Sequence, residues 1–594
     1  MSNEFIDYLN SMNNASSSTI NALAESQVTN PYYSKIKIDR RMGKYIADSI
    51  KNGEILTYIL TGHAGDGKTS ILVQVLSELN LLSDGESLEV ETTITRDNLS
   101  LHYVKDMSEV DEDKQEDFLR KALNANESGV SSLLISNTGP LMQTFERIVR
   151  ADHALKGEAF TEKKEIELQT QLLDQLDGNI DGIITVEGYR FKLINIARVD
   201  NVNFANKIIT KITNKELWQP CEECFDKDSC PMYYNYTILG SYRNRISEFV
   251  VNFYRYLYEN DRRATIRQMI AQISFAFTGN LSCADVNTGR LKNSRFRYNF
   301  ANLFFGFRGI EEFEDAIQIK GIEQINNYNI DSIALNVDYE LFVNNNFSSM
   351  PDDIRILIES VYFKFSKKYY SIDINTTEKI QQEKEALMRK AVRRFYLMYS
   401  SYDDISQLGE VFNQIFGEVF SVYKRAISKQ YASGIERRNL RNLVFDALNI
   451  NNTGFHMQNN DTLYLTLRRD DEAFQNVLLI TGKMEKEAFQ IVQEKTNSQF
   501  EDTNEKYDVY IKLGETIKYK LNLPLLTYFK VITNGAIASI NNPSLTHGIA
   551  RLNTMLHDFV RDKNKDGIMR LLINTTKEQQ TVTCIFDEGK LIIE

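Results

Sequence analysis

The stretch TGHAGDGKTS, Thr61–Ser70, has the residue spacing of a phosphate-binding loop. Gly62 and the triplet Gly67-Lys68-Thr69 are separated by four residues, as the pattern G-x-x-x-x-G-K-T requires. The apolar run before the stretch predicts a buried strand, and the run after it predicts a helix. Such a loop can turn its backbone N–H groups around a phosphate, where the helix N-terminus adds positive charge. We therefore predict a nucleotide site; the alternative is a chance glycine-rich turn or a degenerate loop that no longer binds.

Two residues of this loop are expected to carry its chemistry. Lys68 would reach the β- and γ-phosphates, and the Thr69 hydroxyl would coordinate Mg²⁺. The predicted cofactors are therefore ATP and Mg²⁺. The other residues expected to contact the nucleotide are Gly62, Gly65, Asp66, Gly67 and Ser70.

The composition is that of a large, acidic, ordinary globular chain. Its 594 residues are too many for one core, so several domains are expected. The net charge of −12 argues against a protein that wraps nucleic acid with its whole surface, so any DNA contact is expected at a local patch or through partners. No apolar run approaches the ~20 residues that span a bilayer, and the N-terminus lacks a signal pattern. These features predict a cytoplasmic protein without a membrane segment.

Changes in the hydrophobic pattern along the chain predict a multidomain fold of class α/β + α + α/β. Strands that alternate with helices in the first third indicate a parallel sheet, with ligands at the carboxyl ends of its strands. The segments that we predict are a flexible or helical leader (1–35), a P-loop NTPase core (36–215), a cysteine-rich knuckle with lid helices (216–290), a helical domain (291–450) and a mixed, β-rich C-terminal domain (451–594).

Polar residues at the ends of two predicted strands are candidates for catalysis. Hydrolysis needs an acid to hold Mg²⁺ and usually another residue to orient the attacking water. Asp106 is the candidate for the metal, and Glu109 is the candidate for activating water. Both acids could instead be solvated residues at the start of a charged helix, since the charged Lys105 interrupts the apolar pattern of the preceding strand. Asn137 could sense the γ-phosphate or could cap the next helix, and the sequence leaves both roles open.

A cluster of arginines in NDRRATIRQ is the candidate source of positive charge for the transition state. Arg262, Arg263 and Arg267 fall where a lid helix is expected after the core. Arg263 and Arg267 are four residues apart, so on a helix they would share a face. Arg267 is our candidate catalytic arginine, and ordinary surface charge is the alternative.

Four of the five cysteines have spacing that suggests a metal site. Cys221, Cys224 and Cys230 lie in CEECFDKDSCP, and Cys283 follows two predicted helices later. Structural zinc prefers four thiolates in tetrahedral geometry. We predict a structural Zn²⁺ held by these four residues, with free thiols as the alternative. Cys584 falls in a predicted strand and is expected to be a small buried hydrophobe.

Arginines and aromatic residues alternate in GRLKNSRFRYNFANLFFGFRG, Gly289–Gly309. This composition suits a surface that faces nucleic acid. The alternative, which we favour, is a helical core of aromatic side chains whose arginines reach the rim.

Several of these motifs, taken in order, resemble the DptF family. They are GDGKTS, the acidic KDMSE, INIARVDNVNF, CEECFDKDSCP and RRATIRQMIAQISFAFTGNLSC. The resemblance covers roughly residues 55–310 and is looser beyond them. The family consists of P-loop proteins of bacterial DNA phosphorothioation-dependent restriction systems. The resemblance implies an ATPase of the AAA+/STAND type, cytoplasmic in a bacterium, that acts with other subunits of a complex restricting DNA without the phosphorothioate mark.

Two other functions are compatible with the same residues. One is a STAND-like switch, in which nucleotide binding rather than turnover assembles an oligomer. The other is a DNA-remodelling AAA+ ATPase outside defence. Stimulation of hydrolysis by DNA alone would favour the remodelling enzyme, whereas stimulation by partner proteins would favour the restriction complex.

Overall fold

A computed structural model gives the fold of most of the chain, which forms two compact units. The first comprises Met1–Tyr258, Arg262–Tyr402 and Ser498–Thr503, and the second comprises Glu259–Asp261, Asp403–Asn497 and Asn504–Glu594. The finer domain boundaries predicted from the sequence stay predictions. The structure describes residues 2–13, 30–82, 86–96, 99–177, 182–289, 291, 294–370, 378–401, 405–428, 434–458, 461–467, 476–496, 500–502, 505–515, 517–536, 543–561, 568–575, 578–587 and 590–594.

The first unit is built on a six-stranded sheet. Its strands are β1 (Thr57–Thr61), β2 (Glu91–Arg96), β3 (Leu99–Val104), β4 (Ser131–Ile135), β5 (Ile184–Val186) and β6 (Tyr189–Asn195). They lie in the order β2-β3-β4-β1-β6-β5, and the four central strands are parallel. The predicted mixed α/β fold with a mainly parallel sheet is therefore confirmed. The carboxyl ends of β3, β4, β1 and β6 all meet at one edge of this sheet.

The two outer strands of this sheet run antiparallel to their neighbours, which the sequence prediction of a parallel sheet did not include. β2 pairs antiparallel with β3, and β5 pairs antiparallel with β6. Each pair is joined by a short connection, such as Glu187–Gly188 between β5 and β6. A connection this short permits only a hairpin, because a parallel crossover needs a dozen or more residues.

Helices account for much of the rest of the first unit. Their bounds are α1 (Glu4–Asn13), α2 (Tyr33–Ile36), α3 (Arg41–Lys51), α4 (Lys68–Glu78), α5 (Glu112–Asn124), α6 (Thr138–Leu155), α7 (Glu162–Asp177), α8 (Phe204–Ile212), α9 (Lys215–Glu222), α10 (Pro231–Glu259), α11 (Ile266–Thr278), α12 (Cys283–Asn287), α13 (Phe300–Phe304), α14 (Lys320–Asn327), α15 (Asp338–Phe342), α16 (Asp352–Tyr370) and α17 (Glu378–Tyr399). A two-stranded hairpin, β7 (Phe307–Arg308) and β8 (Glu311–Glu312), lies among them.

Helices cover both faces of the six-stranded sheet. Successive side chains of a strand point to opposite faces. In β1, Tyr58 and Leu60 belong to a buried cluster that includes side chains of α3 and α4. Ile59 belongs to a second buried cluster that includes side chains of α5, α6 and α7. Burial on both faces explains why β1 is apolar along its length, and it fixes the position of the loop that follows it.

The N-terminal helix α1 is docked onto the first unit. The sequence predicted a short helix within the leader, and α1 confirms it. Its Phe5 is fully buried, and the Phe5 and Trp218 rings meet edge to face with centroids 6.0 Å apart. Residues 14–29 of the leader predicted to be flexible or helical lie outside the described residues.

The helical region after the sheet contains a buried ion pair. Arg394 on α17 is fully buried, and its Nε lies 2.7 Å from Asp331 Oδ2. Its guanidinium also donates to Asn302 Oδ1 (3.2 Å) and to the Gly309 carbonyl (3.0 Å), and it stacks on the Phe307 ring. Burial lowers the pKa of Arg394, and the Asp331 carboxylate opposes that shift. Arg394 thus joins α17 to the β7–β8 hairpin, through Gly309 and Phe307, and to Asp331.

Where the structure describes the second unit, it contains five helices and two antiparallel sheets. The helices are α18 (Ile405–Phe416), α19 (Phe420–Ser428), α20 (Gly434–Thr453), α21 (Leu523–Thr533) and α22 (Pro543–Arg561). The strands are β9 (Thr462–Leu467), β10 (Val477–Glu485), β11 (Phe489–Lys495), β12 (Tyr507–Leu513), β13 (Ile517–Lys520), β14 (Met569–Asn574), β15 (Gln579–Asp587) and β16 (Lys590–Ile593). They form sheets of order β16-β15-β14-β10-β9 and β11-β12-β13. The predicted β-rich C-terminal region is confirmed, and Cys584 is buried in β15 as expected. In the part of the chain that is described, no helix has both the length and the apolar character needed to cross a bilayer.

Candidate nucleotide-binding site

The predicted phosphate-binding loop connects the carboxyl end of β1 to the first residue of α4. Gly67 occupies the N-cap position of α4 with φ of +82°, and Gly65 has φ of +86°. Both are left-handed conformations in which a Cβ would clash with the backbone, so glycine is the residue that fits them. The loop therefore has the shape that its sequence predicts, a turn that leads directly into a helix N-terminus.

Lys68 is held at the centre of this loop by three oxygen atoms. Its Nζ donates to the carbonyl oxygens of Gly62 (3.0 Å) and His63 (3.1 Å) and to Asn137 Oδ1 (2.8 Å). The side chain is buried although it carries a charged group. A buried ammonium needs such oxygen partners to offset its lost hydration.

Neighbouring groups and burial shift the pKa of Lys68 in opposite directions. Burial lowers the pKa of Lys68, and the largest opposing effect comes from the Asp106 carboxylate. Asp66 and Glu109 also raise this pKa, and the Arg267 guanidinium lowers it. The structure thus brings three predicted acidic residues and the predicted arginine within electrostatic range of the loop lysine.

Asn137 contacts the loop with its side chain. It occupies the N-cap position of α6, but its side chain makes no capping hydrogen bond. Its Oδ1 instead accepts from Lys68 Nζ, and its backbone N–H donates to Ser108 Oγ at 2.6 Å. Of the two roles that the sequence left open, helix capping by the side chain is excluded in this structure, and contact with the loop remains.

Asp106 and Glu109 begin and end a short turn after β3. Asp106 Oδ1 accepts from the Ser108 backbone N–H at 2.9 Å and so caps the single 3₁₀ turn Met107–Glu109. Asp106 is half-buried and Glu109 is exposed. The charged α5 helix begins only after this turn, at Glu112. The two acids therefore precede that helix and lie in electrostatic range of the loop lysine, while their metal and water roles stay predictions.

The Asp66 carboxylate holds the loop in place through two contacts. It is fully buried, and its Oδ1 lies 2.6 Å from a terminal nitrogen of Arg263. Its Oδ2 accepts from the His63 backbone N–H at 3.1 Å. Buried carboxylates of this kind are stable only when paired and hydrogen-bonded. The Asp66 side chain thus shapes the loop, and a contact of this residue with nucleotide would involve its backbone.

Arg263 and Arg267 reach the loop from different elements, so the prediction that they share a helix face is wrong. The helix α11 begins at Ile266, because Thr265 and Gln268 form a capping box there. Arg263 precedes the helix and binds Asp66, whereas the Arg267 backbone N–H donates to the Gly65 carbonyl at 3.2 Å. Burial lowers the pKa of the Arg267 side chain, and Glu109 opposes that shift. A capping signal at Thr265 was visible in the sequence and could have separated the two arginines.

Thr69 and Ser70 occupy the first turn of α4. Thr69 is half-buried and Ser70 is exposed. The Ser70 side chain hydrogen-bonds the Tyr33 hydroxyl, which lowers the pKa of Tyr33 against the larger effect of burial. The Mg²⁺ role of Thr69 stays a prediction.

Arg40 and Asp502 belong to this site, and sequence analysis missed both. A terminal nitrogen of the buried Arg40 donates to the Asp66 carbonyl at 3.4 Å, and Arg40 Nε lies 3.3 Å from Asp502 Oδ2. Phe500, in the same short segment, is part of the buried cluster beneath β1. Arg40 and Asp502 are 462 residues apart in the chain, and no local pattern links positions at that separation.

Gly65→Ala is expected to weaken nucleotide binding by about tenfold, because the loop would relieve the roughly 1–2 kcal/mol strain of a Cβ there by leaving the shape that binds phosphate. The added atom would lie 3.1 Å from both Arg267 Cβ and Thr265 Oγ1, so it would also push α11 from the loop. Titration with a fluorescent ATP analogue measures the effect. Gly53→Ala is the control, since Gly53 has a similar φ of +84° with open space around it. Unchanged affinity in Gly65→Ala would contradict the prediction, and an equal loss in Gly53→Ala would trace the effect to general backbone strain and not to the loop.

The four predicted metal-binding cysteines lie around one cavity of about 20 Å³. Burial raises the pKa of Cys221, and it raises the pKa of Cys230 to about 11. Among the side chains that are described, no group of three or more His, Cys, Asp or Glu is placed so that it could hold a metal ion. Cys221, Cys224, Cys230 and Cys283 thus lie around one cavity, as their spacing suggested. The predicted zinc site stays a prediction.

The segment of alternating arginines and aromatic residues is mainly a packed core. Phe296, Tyr298 and Phe300 are buried. Arg308 stacks on the Phe313 ring, and the exposed Arg297 pairs with Glu311 at 2.9 Å. These contacts match the favoured alternative, in which the arginines lie at the rim of an aromatic core.

Comparison with known proteins does not add a family to this geometry. No family model, no curated protein sequence and no solved structure gives a significant match to the chain.

Proposed function

We propose that this protein binds ATP with Mg²⁺ at the Gly62–Ser70 loop and hydrolyses it. The observation that carries the proposal is the position of Lys68 Nζ, within 3.1 Å of two loop carbonyls and of Asn137 Oδ1. An ammonium in this place can exchange a carbonyl partner for phosphate oxygens, with which charge-assisted hydrogen bonds are stronger. The N-terminus of α4 points at the same place and favours an anion there.

The strand order places the predicted catalytic acid Asp106 at a suitable distance from the loop. β4 lies between β1 and β3, and neighbouring strands are ~4.8 Å apart, so Asp106 follows a strand roughly 10 Å from that of the loop. This separation suits an acid that approaches the end of a bound triphosphate without occupying the phosphate site. Asp106 and Thr69 would hold Mg²⁺, Glu109 would orient the attacking water, and Arg267 would stabilise the developing charge.

Contacts and charges in the structure support the roles that we propose for Asn137 and Arg267. Asn137 would sense the γ-phosphate, since it already contacts Lys68 and would exchange that contact when Lys68 turns to the nucleotide. Arg267 is supported by its side chain, which lies in electrostatic range of both Lys68 and Glu109. Mg²⁺ in this position would polarise the terminal phosphate.

The biological setting that we propose is a bacterial DNA restriction complex, which rests on the resemblance of the motifs to the DptF family. Within it, ATP hydrolysis would drive or license the attack on unmarked DNA, and the protein would act with other subunits and reach DNA locally or through them. A gene neighbourhood with sulfur-modification genes would support this setting. ATPase activity stimulated by DNA alone, with no effect of proteins encoded alongside, would contradict it.

Glu109→Gln is expected to retain ATP binding and to lower the hydrolysis rate by about 10²- to 10⁴-fold, the usual contribution of a positioned general base. The substitution keeps the size of the side chain and removes its charge. Phosphate release under saturating ATP measures turnover, and equilibrium titration measures binding. The matched control is Asp113→Asn, an exposed acid in the first turn of α5. Full turnover in Glu109→Gln would remove Glu109 from this role.

A nucleotide-dependent switch is a second candidate, favoured by the ties between the loop and the start of α11. Arg263 binds Asp66, and the Arg267 backbone binds the Gly65 carbonyl. A nucleotide that reshapes the loop would therefore bias the position of α11. ATP binding without turnover, together with a nucleotide-dependent change of oligomeric state, would favour this function over hydrolysis.

A further inference from the structure

The five-stranded sheet of the second unit has edge strands β9 and β16, and side chains of α20 cover the edge at β9. Asn449 Nδ2 donates to the Thr462 carbonyl, and Asn449 Oδ1 accepts from the Tyr464 N–H, both at 3.1 Å. Asn452 Nδ2 donates to the Tyr464 carbonyl at 3.1 Å. The outward backbone groups of β9 are thereby occupied, which keeps this edge from pairing with another strand.

The other edge strand, β16, leaves its outer side without a hydrogen-bonding partner among the described residues. On its inner side, the Glu594 N–H and carbonyl exchange hydrogen bonds with Thr583 at 2.9 and 2.8 Å. In an antiparallel strand the backbone groups of successive residues point alternately to the two sides. Ile592 and Glu594 therefore face β15. The N–H and carbonyl groups of Leu591 and Ile593 face outward.

The side chains of β16 are also exposed on both faces of the sheet. Leu591 and Ile593 point to one face, and Ile592 points to the other. The exposed fractions of Leu591, Ile592 and Ile593 are 49%, 42% and 64%. Open edge strands are normally protected by charges, proline or a bulge within the strand. Three consecutive exposed apolar residues at an open edge instead favour pairing with another strand.

The sequence KLIIE, Lys590–Glu594, is complementary to a second copy of itself. When two β16 strands pair antiparallel with Ile592 opposite Ile592, Leu591 of each copy lies opposite Ile593 of the other. These are the outward-facing residues, so they can exchange backbone hydrogen bonds. Lys590 lies opposite Glu594 of the second copy, in the type of pair whose side chains are closest. A shift of register in either direction separates these charges and leaves outward backbone groups unpaired.

We propose that β16 is a dimerisation edge, at which two copies of this chain join their five-stranded sheets into one continuous sheet. The twofold axis lies at Ile592. A second copy is the partner that fits, because the opposite charges and the outward backbone groups match in the same register. One strand pair buries less than the ~1,200 Å² of a standard interface, so the dimer should dissociate on dilution. The proposal does not depend on nucleotide binding.

Sedimentation equilibrium of the full-length protein without nucleotide tests the proposal. The average mass should rise toward that of two chains as the concentration is raised through the micromolar range. Lys590→Glu should weaken association by about tenfold or more, because it places like charges opposite each other at both ends of the strand pair. The double variant Lys590→Glu with Glu594→Lys should restore association, since each exchanged charge again meets its opposite.

The control for the charge variants is Lys495→Glu, the same change of charge at an exposed lysine of β11. It should associate as the wild-type chain does. A wild-type protein that stays monomeric at the highest soluble concentration would overturn the proposal. So would a Lys590→Glu variant that associates as strongly as the control.

An engineered disulfide tests the register independently. Ile592→Cys would place two thiols opposite each other at the twofold axis, in a pair with Cα atoms ~4.5 Å apart, which a disulfide can bridge. Leu591→Cys would lie diagonally from its own copy at ~7–8 Å, beyond that reach. After mild oxidation, non-reducing electrophoresis should show severalfold more covalent dimer for Ile592→Cys than for Leu591→Cys or the wild-type chain. Equal cross-linking of the two variants would overturn the register and the proposal with it.

Discussion

Lys68→Met is expected to lower the affinity for ATP by at least about 100-fold, and hydrolysis should fall with it. Methionine matches the length of the lysine stem but cannot donate a hydrogen bond. Bonds from a charged donor are worth ~1.5–3 kcal/mol each, and two of them to phosphate correspond to a factor of about 100 or more in Kd. Isothermal titration calorimetry with ATP and Mg²⁺ measures the loss directly.

The control for this prediction is Lys114→Met, which removes an exposed lysine from the first turns of α5. It should bind ATP as the wild-type chain does. Circular dichroism and thermal unfolding of Lys68→Met should show an intact fold, so that lost binding is traced to the site. ATP affinity within threefold of wild type in a folded Lys68→Met variant would show that the loop does not bind the triphosphate.

Asp331→Asn is expected to destabilise the first unit by about 3–5 kcal/mol, the cost of leaving a buried charge without its partner. Arg394 is fully buried, and Asp331 Oδ2 is the only carboxylate oxygen among the described residues that lies in salt-bridge range of it. Asparagine keeps the shape but removes the charge, so the guanidinium stays buried with neutral partners only. Urea denaturation followed by tryptophan fluorescence is a suitable measurement, since Trp218 lies in the same unit.

Two further variants make this prediction specific. Glu311→Gln breaks the exposed pair with Arg297, whose side chains are 51% and 62% exposed for Arg297 and Glu311, and should cost no more than ~1 kcal/mol. The double variant Asp331→Leu with Arg394→Met should recover much of the loss, because apolar pairs often replace buried ion pairs without penalty. An Asp331→Asn midpoint equal to that of Glu311→Gln would mean that water reaches Arg394.

The sequence could predict those parts of the site that depend on short-range patterns. The loop, β1 and α4 follow from glycine spacing and apolar runs, and the polar residues after β3 and β4 follow from the end of each run. Because parallel strands end at one edge of the sheet, the strand pattern alone could place Asp106 and Asn137 near Lys68. The four cysteines were grouped correctly for a similar reason, since three of them lie within ten residues.

Other parts depend on contacts that no local pattern contains. The orientation of the Asn137 side chain toward Lys68 depends on the register of β4 beside β1. The separation of Arg263 from α11 depends on which threonine caps the helix. Cys283 joins the other three cysteines at one cavity only because α12 packs beside them, which spacing alone could not show.

The contact between Arg40 and Asp502 has a consequence for how the protein is made. Translation proceeds at roughly 5–20 residues per second, so the 462 residues between them take roughly 20–90 s to synthesise. During that time the nascent nucleotide core lacks Phe500 from its buried cluster and Asp502 beside the arginine that holds the loop. The core is therefore completed only when most of the chain has been synthesised, which delays a fully formed version of the proposed ATP site until late in synthesis.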